Sequence, residues 1–163
     1  MPNWCANSTT FKHDDPKQIE RMKTAFIENR LLTEFAPPPA DIGENWYHWC
    51  IENWGTKWDV DGHADVGIVD IKENEVTLYF DSAWSPPLEF YMALEDLGWI
   101  VEGYYYESGM NFVGKWDENG DDCYEIPDTV EAIEEKIPRD IEQTFNLIEN
   151  FIQWEEENIE NGS

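Results

Sequence analysis

Apolar and polar residues change period several times along the chain, and each change marks an element. Residues 3–11 are rich in Trp, Thr and Phe with partial alternation, which predicts a strand beginning almost at the first residue. A helix should follow: Asp15 can cap it, Pro16 suits its first turn, Gln18 occupies the capping-box position, and Ile19, Met22, Phe26 and Ile27 recur at helical spacing. Residues 34–42 contain Pro37, Pro38 and Pro39, which cannot donate ladder hydrogen bonds, so this segment reads as an extended connector. Trp46, Tyr47, Trp49, Trp54 and Trp58 form the densest aromatic region, with spacing that suits a short helix ending near Gly55. The period then falls to two. Residues 66–71 and 76–80 flank the turn Lys72-Glu73-Asn74-Glu75, giving a hairpin with Val76, Leu78 and Phe80 on one face and Thr77, Tyr79 and Asp81 on the other.

Ser85 and Pro86 open a second helix in which Phe90, Leu94 and Leu97 should face inward, with Gly98 as its left-handed stop. Residues 100–106 and 110–116 are β-prone, and Asn119-Gly120 signals a tight turn into a further strand at 123–126. Beyond Pro127 the pattern becomes an acidic amphipathic stretch, with Ile133, Ile137, Ile141, Phe145, Ile148 and Ile152 three or four residues apart and Pro138 placed to start a second helical segment. Residues 155–163 read as a fraying tail. The order of elements predicts an α+β fold, a ferredoxin-like split β-α-β sandwich whose antiparallel sheet carries helices on one face. Extra strands and a C-terminal amphipathic acidic helix extend it. Residues 1–127 form the domain and 128–163 a helical extension packed on it.

Charge changes the picture most. The 163 residues include 36 Asp and Glu against 10 Lys and Arg, a net charge of −26. Such a field repels phosphate backbones and anionic membranes and attracts basic surfaces, so direct nucleic-acid binding is excluded as a function class. No apolar run is long enough to span a bilayer, and the N-terminus lacks a basic-then-apolar leader pattern, so a cytoplasmic protein is expected. Cys5, Cys50 and Cys123 are odd in number and scattered, which favours reduced thiols over disulfides.

Two groups of residues have ligand chemistry. His48, Cys50, Asp59, Asp61, His63 and Asp65 crowd a short stretch with zinc-type donors, but on a helix His48 and Cys50 would point about 200° apart. Asp117, Asn119, Asp121, Cys123, Glu125 and Asp128 match calcium-loop spacings, yet the glycine that loop needs at its sixth position is here Asp122. A core role for the first group and a plain hairpin for the second are the expected readings. Cys5 or Cys50 with His13, His48 or His63 could form a nucleophile and base, but no phosphate loop, nucleophile elbow or metalloprotease motif is present. Neither catalysis nor a cofactor is expected.

The string MPNWCANSTTF, the Phe35-Ala36-Pro37-Pro38-Pro39 loop, the block from Glu52 through Trp54-Gly55-Thr56-Lys57-Trp58 to Asp59, and Phe80-x-x-x-Trp84-x-Pro86-Pro87 together resemble the YubB-like family of plasmid and phage proteins. The resemblance spans roughly the first hundred residues. It implies a ferredoxin-like domain of mobile-element origin and transfers no catalytic residue. The acidic helices after Pro127 fall outside it.

With this origin, the acid excess suggests a non-enzymatic inhibitor that imitates nucleic acid and acts in the host cytoplasm. Its acidic face would block a host defence or regulatory nucleic-acid-binding protein that has a basic or ring-shaped cavity. The expected contact residues are Asp117, Glu118, Asp121, Asp122, Glu131, Glu134, Glu135, Asp140, Glu142, Glu149, Glu155, Glu156 and Glu157. A helix over residues 138–159 would span about 33 Å, against which duplex DNA presents on the order of twenty phosphates. One helix is too sparse, so the sheet side or a second subunit, as in a homodimer, must continue the pattern. Two other readings are an inhibitor that occludes a host ATP-dependent protease of the Lon type, with Trp and Tyr anchors, and an enzyme of unknown type.

Overall fold

The computed structural model describes residues 3–60 and 67–161, with side chains through Ile159. Of the zinc-type group, Asp61, His63 and Asp65 lie outside the described residues.

The chain begins with β1 (Trp4–Lys12), followed by α1 (Pro16–Ile27), α2 (Leu31–Phe35), a 3-10 turn (Gly43–Asn45) and α3 (Trp46–Asn53). The hairpin β2 (Ile68–Lys72) and β3 (Glu75–Ala83) comes next, then α4 (Leu88–Asp96) and β4 (Ile100–Glu107). A second hairpin, β5 (Phe112–Asp117) and β6 (Gly120–Glu125), leads into α5 (Val130–Lys136), α6 (Arg139–Phe145) and α7 (Leu147–Asn161). The fold is α+β. Its strands make one open six-stranded sheet in the order β2-β3-β1-β4-β5-β6, and each neighbouring pair is antiparallel. The core strands follow a split β-α-β order, with β1 inserted between β3 and β4.

Alternation divides the sheet into two working faces. Cys5, Asn7, Thr9 and Phe11 of β1 are buried on the first, where Phe11, Val76, Leu78, Phe80 and Val101 pack under α1, α2 and α4. On the second face, at the β4-β5-β6 end, Val113 joins Ile133, Ile137, Ile141 and Leu147 in a separate core, with Tyr104, Tyr106 and Tyr124 beside it. Helices therefore cover both faces. The helices of the split β-α-β core, α1 and α4, share the first face, and the C-terminal apolar stripe finds its partner on the side of β4 and β5 that they leave bare. The remainder of that second face, on β3 and β1, stays partly open, and Thr10 and Thr77 bond to each other across it at 2.8 Å.

Local chemistry accounts for most boundaries. The Asp15 side chain accepts from Lys17 N at 3.0 Å and starts α1. Gln18 does not complete a capping box, because its Oε1 instead accepts from Arg21 at 3.2 Å. Gly98, with φ +95, ends the α4 turn, and Thr129 caps α5 by accepting from Ala132 N. Three apolar residues assigned to inward faces are exposed: Ile27 at the last position of α1, Leu97 at the cap of α4, and Ile152 on α7. The first two stand where the helix ends before the turn can carry them inward. On α7 the neighbouring Leu147, Ile148 and Phe151 meet the body instead.

The acidic stretch after Pro127, expected to restart at Pro138 as a second helical segment, does break there and then once more, giving three helices. Asn146 takes a left-handed conformation (φ +51) between α6 and α7, so no continuous rod runs over residues 138–159. The tail that was expected to fray continues α7 to Asn161.

Helix α2 was not foreseen. The Asp59 carboxylate accepts hydrogen bonds from Leu32 N and Thr33 N at 3.0 Å each, from Thr33 Oγ1 at 2.8 Å and from Val60 N at 2.9 Å. A carboxylate nearly thirty positions away along the chain thus serves as the N-terminal cap of a one-turn helix. Asp59 is thereby committed to structure. His48 is exposed on α3 while Cys50 of the same helix is buried, as the angle between them requires.

Candidate acidic interface

The β5-β6 hairpin sets the first part of the site. Asp117 pairs with Gly120 across a turn formed by Glu118 and Asn119; Gly120 has φ +99, and Asn119 N donates to Asp117 Oδ1 at 2.9 Å. Register places Asp121 opposite Trp116 and Cys123 opposite Gly114, toward the first core, whereas Asp122 lies opposite Lys115 and Tyr124 opposite Val113, toward the second. The calcium-type spacing therefore belongs to an extended edge strand, along which Asp121, Cys123 and Glu125 are strung out on one side instead of wrapping around a centre. Among the described residues no group of three or more His, Cys, Asp or Glu is disposed to hold an ion.

Lys115 ties the sheet to α6. Its ammonium lies 3.1 Å from Asp140, 3.6 Å from Glu102 and 3.8 Å from Asp117, and the Tyr104 hydroxyl donates to the same Asp140 oxygen at 3.0 Å. Burial pushes the Asp140 carboxyl up, but the bonds from Lys115 and Tyr104 outweigh it and hold the group below its ordinary value. Burial pulls Lys115 down, and its bonds to Asp140 and Tyr104 more than reverse that and raise it. A depressed carboxylate contributes stability that is present above its unfolded pKa and lost as pH falls through its folded one. A raised lysine contributes stability that is present below its unfolded pKa and lost as pH rises through its folded one. Both contributions are therefore in place across neutrality. Lys115→Met is expected to cost about 1–2 kcal/mol, a figure discounted because Asp140 is half exposed to solvent. Denaturant melts should show the loss undiminished between roughly pH 5 and pH 10 and shrinking on either side. A loss that peaks outside that window would contradict the pairing.

The thirteen expected contact residues sort into two kinds. Asp117 and Asp140 are tied to Lys115, Asp121 accepts from the Tyr105 hydroxyl, and Glu142 accepts from Ile148 N near the start of α7. These four are engaged within the molecule. Glu118, Asp122, Glu131, Glu134, Glu135, Glu149, Glu155, Glu156 and Glu157 are exposed, and none of them pairs with a cation among the described residues. The elements that carry them adjoin. One concavity is lined by Glu125 of β6 together with Ala132 and Lys136 of α5; another joins Asp128, Ile133 of α5 and Glu155 of α7. The C-terminal end of β6, α5 and α7 therefore form one flank, interrupted by Lys136, and the turn carrying Glu118 lies at the opposite end of β6. Residues 73–163 contain 24 of the 36 acids and 3 of the 10 bases. The turn and β6 add Glu118, Asp122 and Glu125 to the exposed carboxylates of α5 and α7.

A second surface is aromatic. Trp4 and Trp58 lie 6.2 Å apart, Lys57 sits over the rings of Trp58 and Tyr47, and Trp46 packs edge-on to Tyr47. Trp84, half exposed, has φ +71, a conformation that costs a bulky side chain about 1–2 kcal/mol, and its N–H bonds Asn3 O at 2.8 Å. The strain follows from β3 ending against the chain entering β1. Trp49 and Trp54 are by contrast packed into or against the first core, so the tryptophan-rich stretch is divided between core and surface.

Reading by charge passed over the apolar members of the acidic flank. Phe151 and Trp154 stand one helical turn apart on α7 with rings 6.0 Å apart, a spacing visible in the sequence but masked by the surrounding glutamates. No family model, curated protein or solved structure matches the chain.

Proposed function

We propose that this chain, a ferredoxin-like domain of the YubB-like kind from a mobile element, acts without catalysis. It places a fixed acidic flank against a cationic, nucleic-acid-binding cavity of a host protein and so blocks it. The observation that carries the reading is the set of nine carboxylates on β6, its turn, α5 and α7 that pair with no cation among the described residues. Each is held on an element packed to the body, so little ordering is needed on binding. Carboxylates so placed can occupy a Lys/Arg groove and release the same counterions that phosphates would. The strand order β2-β3-β1-β4 with intervening helices supports the ferredoxin-like description of the core.

The test uses a partner purified after capture on the full chain. Affinity should fall linearly in log–log form with salt, and excess duplex DNA should displace the protein. Replacing Glu131, Glu134, Glu135, Glu155, Glu156 and Glu157 by Gln together should weaken binding at least about tenfold and flatten the salt slope. Indifference to salt and to duplex DNA would sink the reading. Unchanged degradation of an unrelated substrate by a Lon-type protease separates it from occlusion of such an enzyme.

A further inference from the structure

A groove of about 710 Å³ opens on the acidic flank between the β4-β5 connection, the segment after β6, and α7. Its floor is the buried Ile126, Ile133 and Leu147. Tyr106 and Phe151 wall it, and Trp154, 60% exposed, stands at its rim. The size lies within the ~300–1,000 Å³ typical of ligand sites.

The charged lining is one-sided. Asp128 and Glu155 contribute carboxylates, and among the described residues no Lys, Arg or His lines the groove. Asn111 and Asn150 use their amide N–H groups within the fold, on Ile126 O and Phe145 O at 3.0 Å each. Their side-chain oxygens accept nothing among the described residues. Besides the Ser108 and Tyr106 hydroxyls, which can donate or accept, the groove offers a visitor acceptors, negative charge and aromatic faces.

A guanidinium answers all three, since it has five donors and no acceptor, is permanently charged, and stacks on aromatic rings. A neutral apolar ligand would strip water from two carboxylates and give nothing back. A second copy of the chain would bring another α7, with Glu149, Glu155, Glu156 and Glu157, against the first, between molecules of −26 each. Charge complementarity thus selects a basic segment over self-association.

We propose that this groove seats an arginine of a basic partner segment. Its guanidinium lies against Trp154 and Phe151 between Asp128 and Glu155, and a neighbouring apolar side chain rests on Ile126 and Leu147. This inference rests on the acidic flank being the partner-facing one, and it names what that partner presents there.

The test is calorimetric titration of the full chain with a short peptide of arginine and leucine, with versions carrying lysine or the uncharged isostere citrulline as controls. The arginine peptide should bind about tenfold tighter than the citrulline peptide and several-fold tighter than the lysine peptide. Trp154→Ala, a change at an exposed position, and the pair Asp128→Asn with Glu155→Gln should each cost about tenfold. Glu20→Gln with Glu52→Gln, exposed acids of α1 and α3 outside the flank, should cost less than about twofold. Equal binding of the three peptides, or wild-type affinity in Trp154→Ala, overturns the groove assignment. If Trp154→Ala has wild-type affinity for the peptide while the captured partner still binds with strong salt dependence, the groove alone is wrong; loss of that salt dependence removes the acidic-flank reading as well.

Discussion

Ile133→Ala should lower stability by about 2–5 kcal/mol, the range for emptying a fully buried aliphatic site. Ile133 is wholly buried and packs in the second core with Val113 of β5, Ile137, Ile141 and Leu147, and it also forms part of the groove floor. Few other residues hold the acidic helices to the sheet from so central a position, so the vacated space cannot be closed by one neighbour. Urea melts should move to a lower midpoint. Amide exchange should accelerate in α5–α7 before it does in β1, because the first core under α1 and α4 is untouched. A loss below about 1 kcal/mol would mean that these helices are not seated on the sheet as described.

Asp59→Ala should cost about 2–3 kcal/mol, which for a chain of this size is a fall in Tm of roughly 5–10 °C. Its carboxylate receives four hydrogen bonds, two of them from the first turn of α2. The Thr33 donors are exposed, so water can replace the carboxylate there, but Leu32 N is partly buried and is left poorly satisfied. An ordinary helix cap is worth about 1 kcal/mol, and the excess here comes from a charged acceptor joining two distant segments. Asp59→Asn should recover part of the loss. A differential scan showing no change for Ala would mean that α2 is held by Leu31, Leu32 and Phe35 alone.

The contrast between these two positions marks what could be read in advance. Ile133 belongs to a three-and-four spacing, and such periodicity reports burial for Ile133, Ile137 and Ile141, failing only near its end at Ile152. The same holds for Val76, Leu78 and Phe80, whose alternation fixed the inner face of β3. Asp59 lies in no pattern, because its function as a cap depends on a chain crossing that brings it to Leu32. Periodicity is also silent about which face of a sheet a helix chooses, and so the side taken by α5–α7 emerges only from the fold. Asn146 gives no warning either: an asparagine inside an amphipathic run is compatible with helix and with the left-handed break it adopts. For the acidic flank, composition revealed the excess of carboxylates, but only coordinates separate those engaged with Lys115, Tyr105 or Ile148 from those facing solvent. Trp154 went unnoticed because three successive glutamates follow it.

The outermost strand has a further meaning for how this protein behaves in company. β6 closes one margin of the sheet, with no strand beyond it among the described residues, the usual starting point for growth of one sheet onto the next. Its side chains alternate Asp121, Asp122 and Glu125 around Cys123 and Tyr124, so any identical margin brought alongside meets its own sign on both faces. Crowded molecules are thereby kept from stitching into fibres at the place where stitching would be easiest.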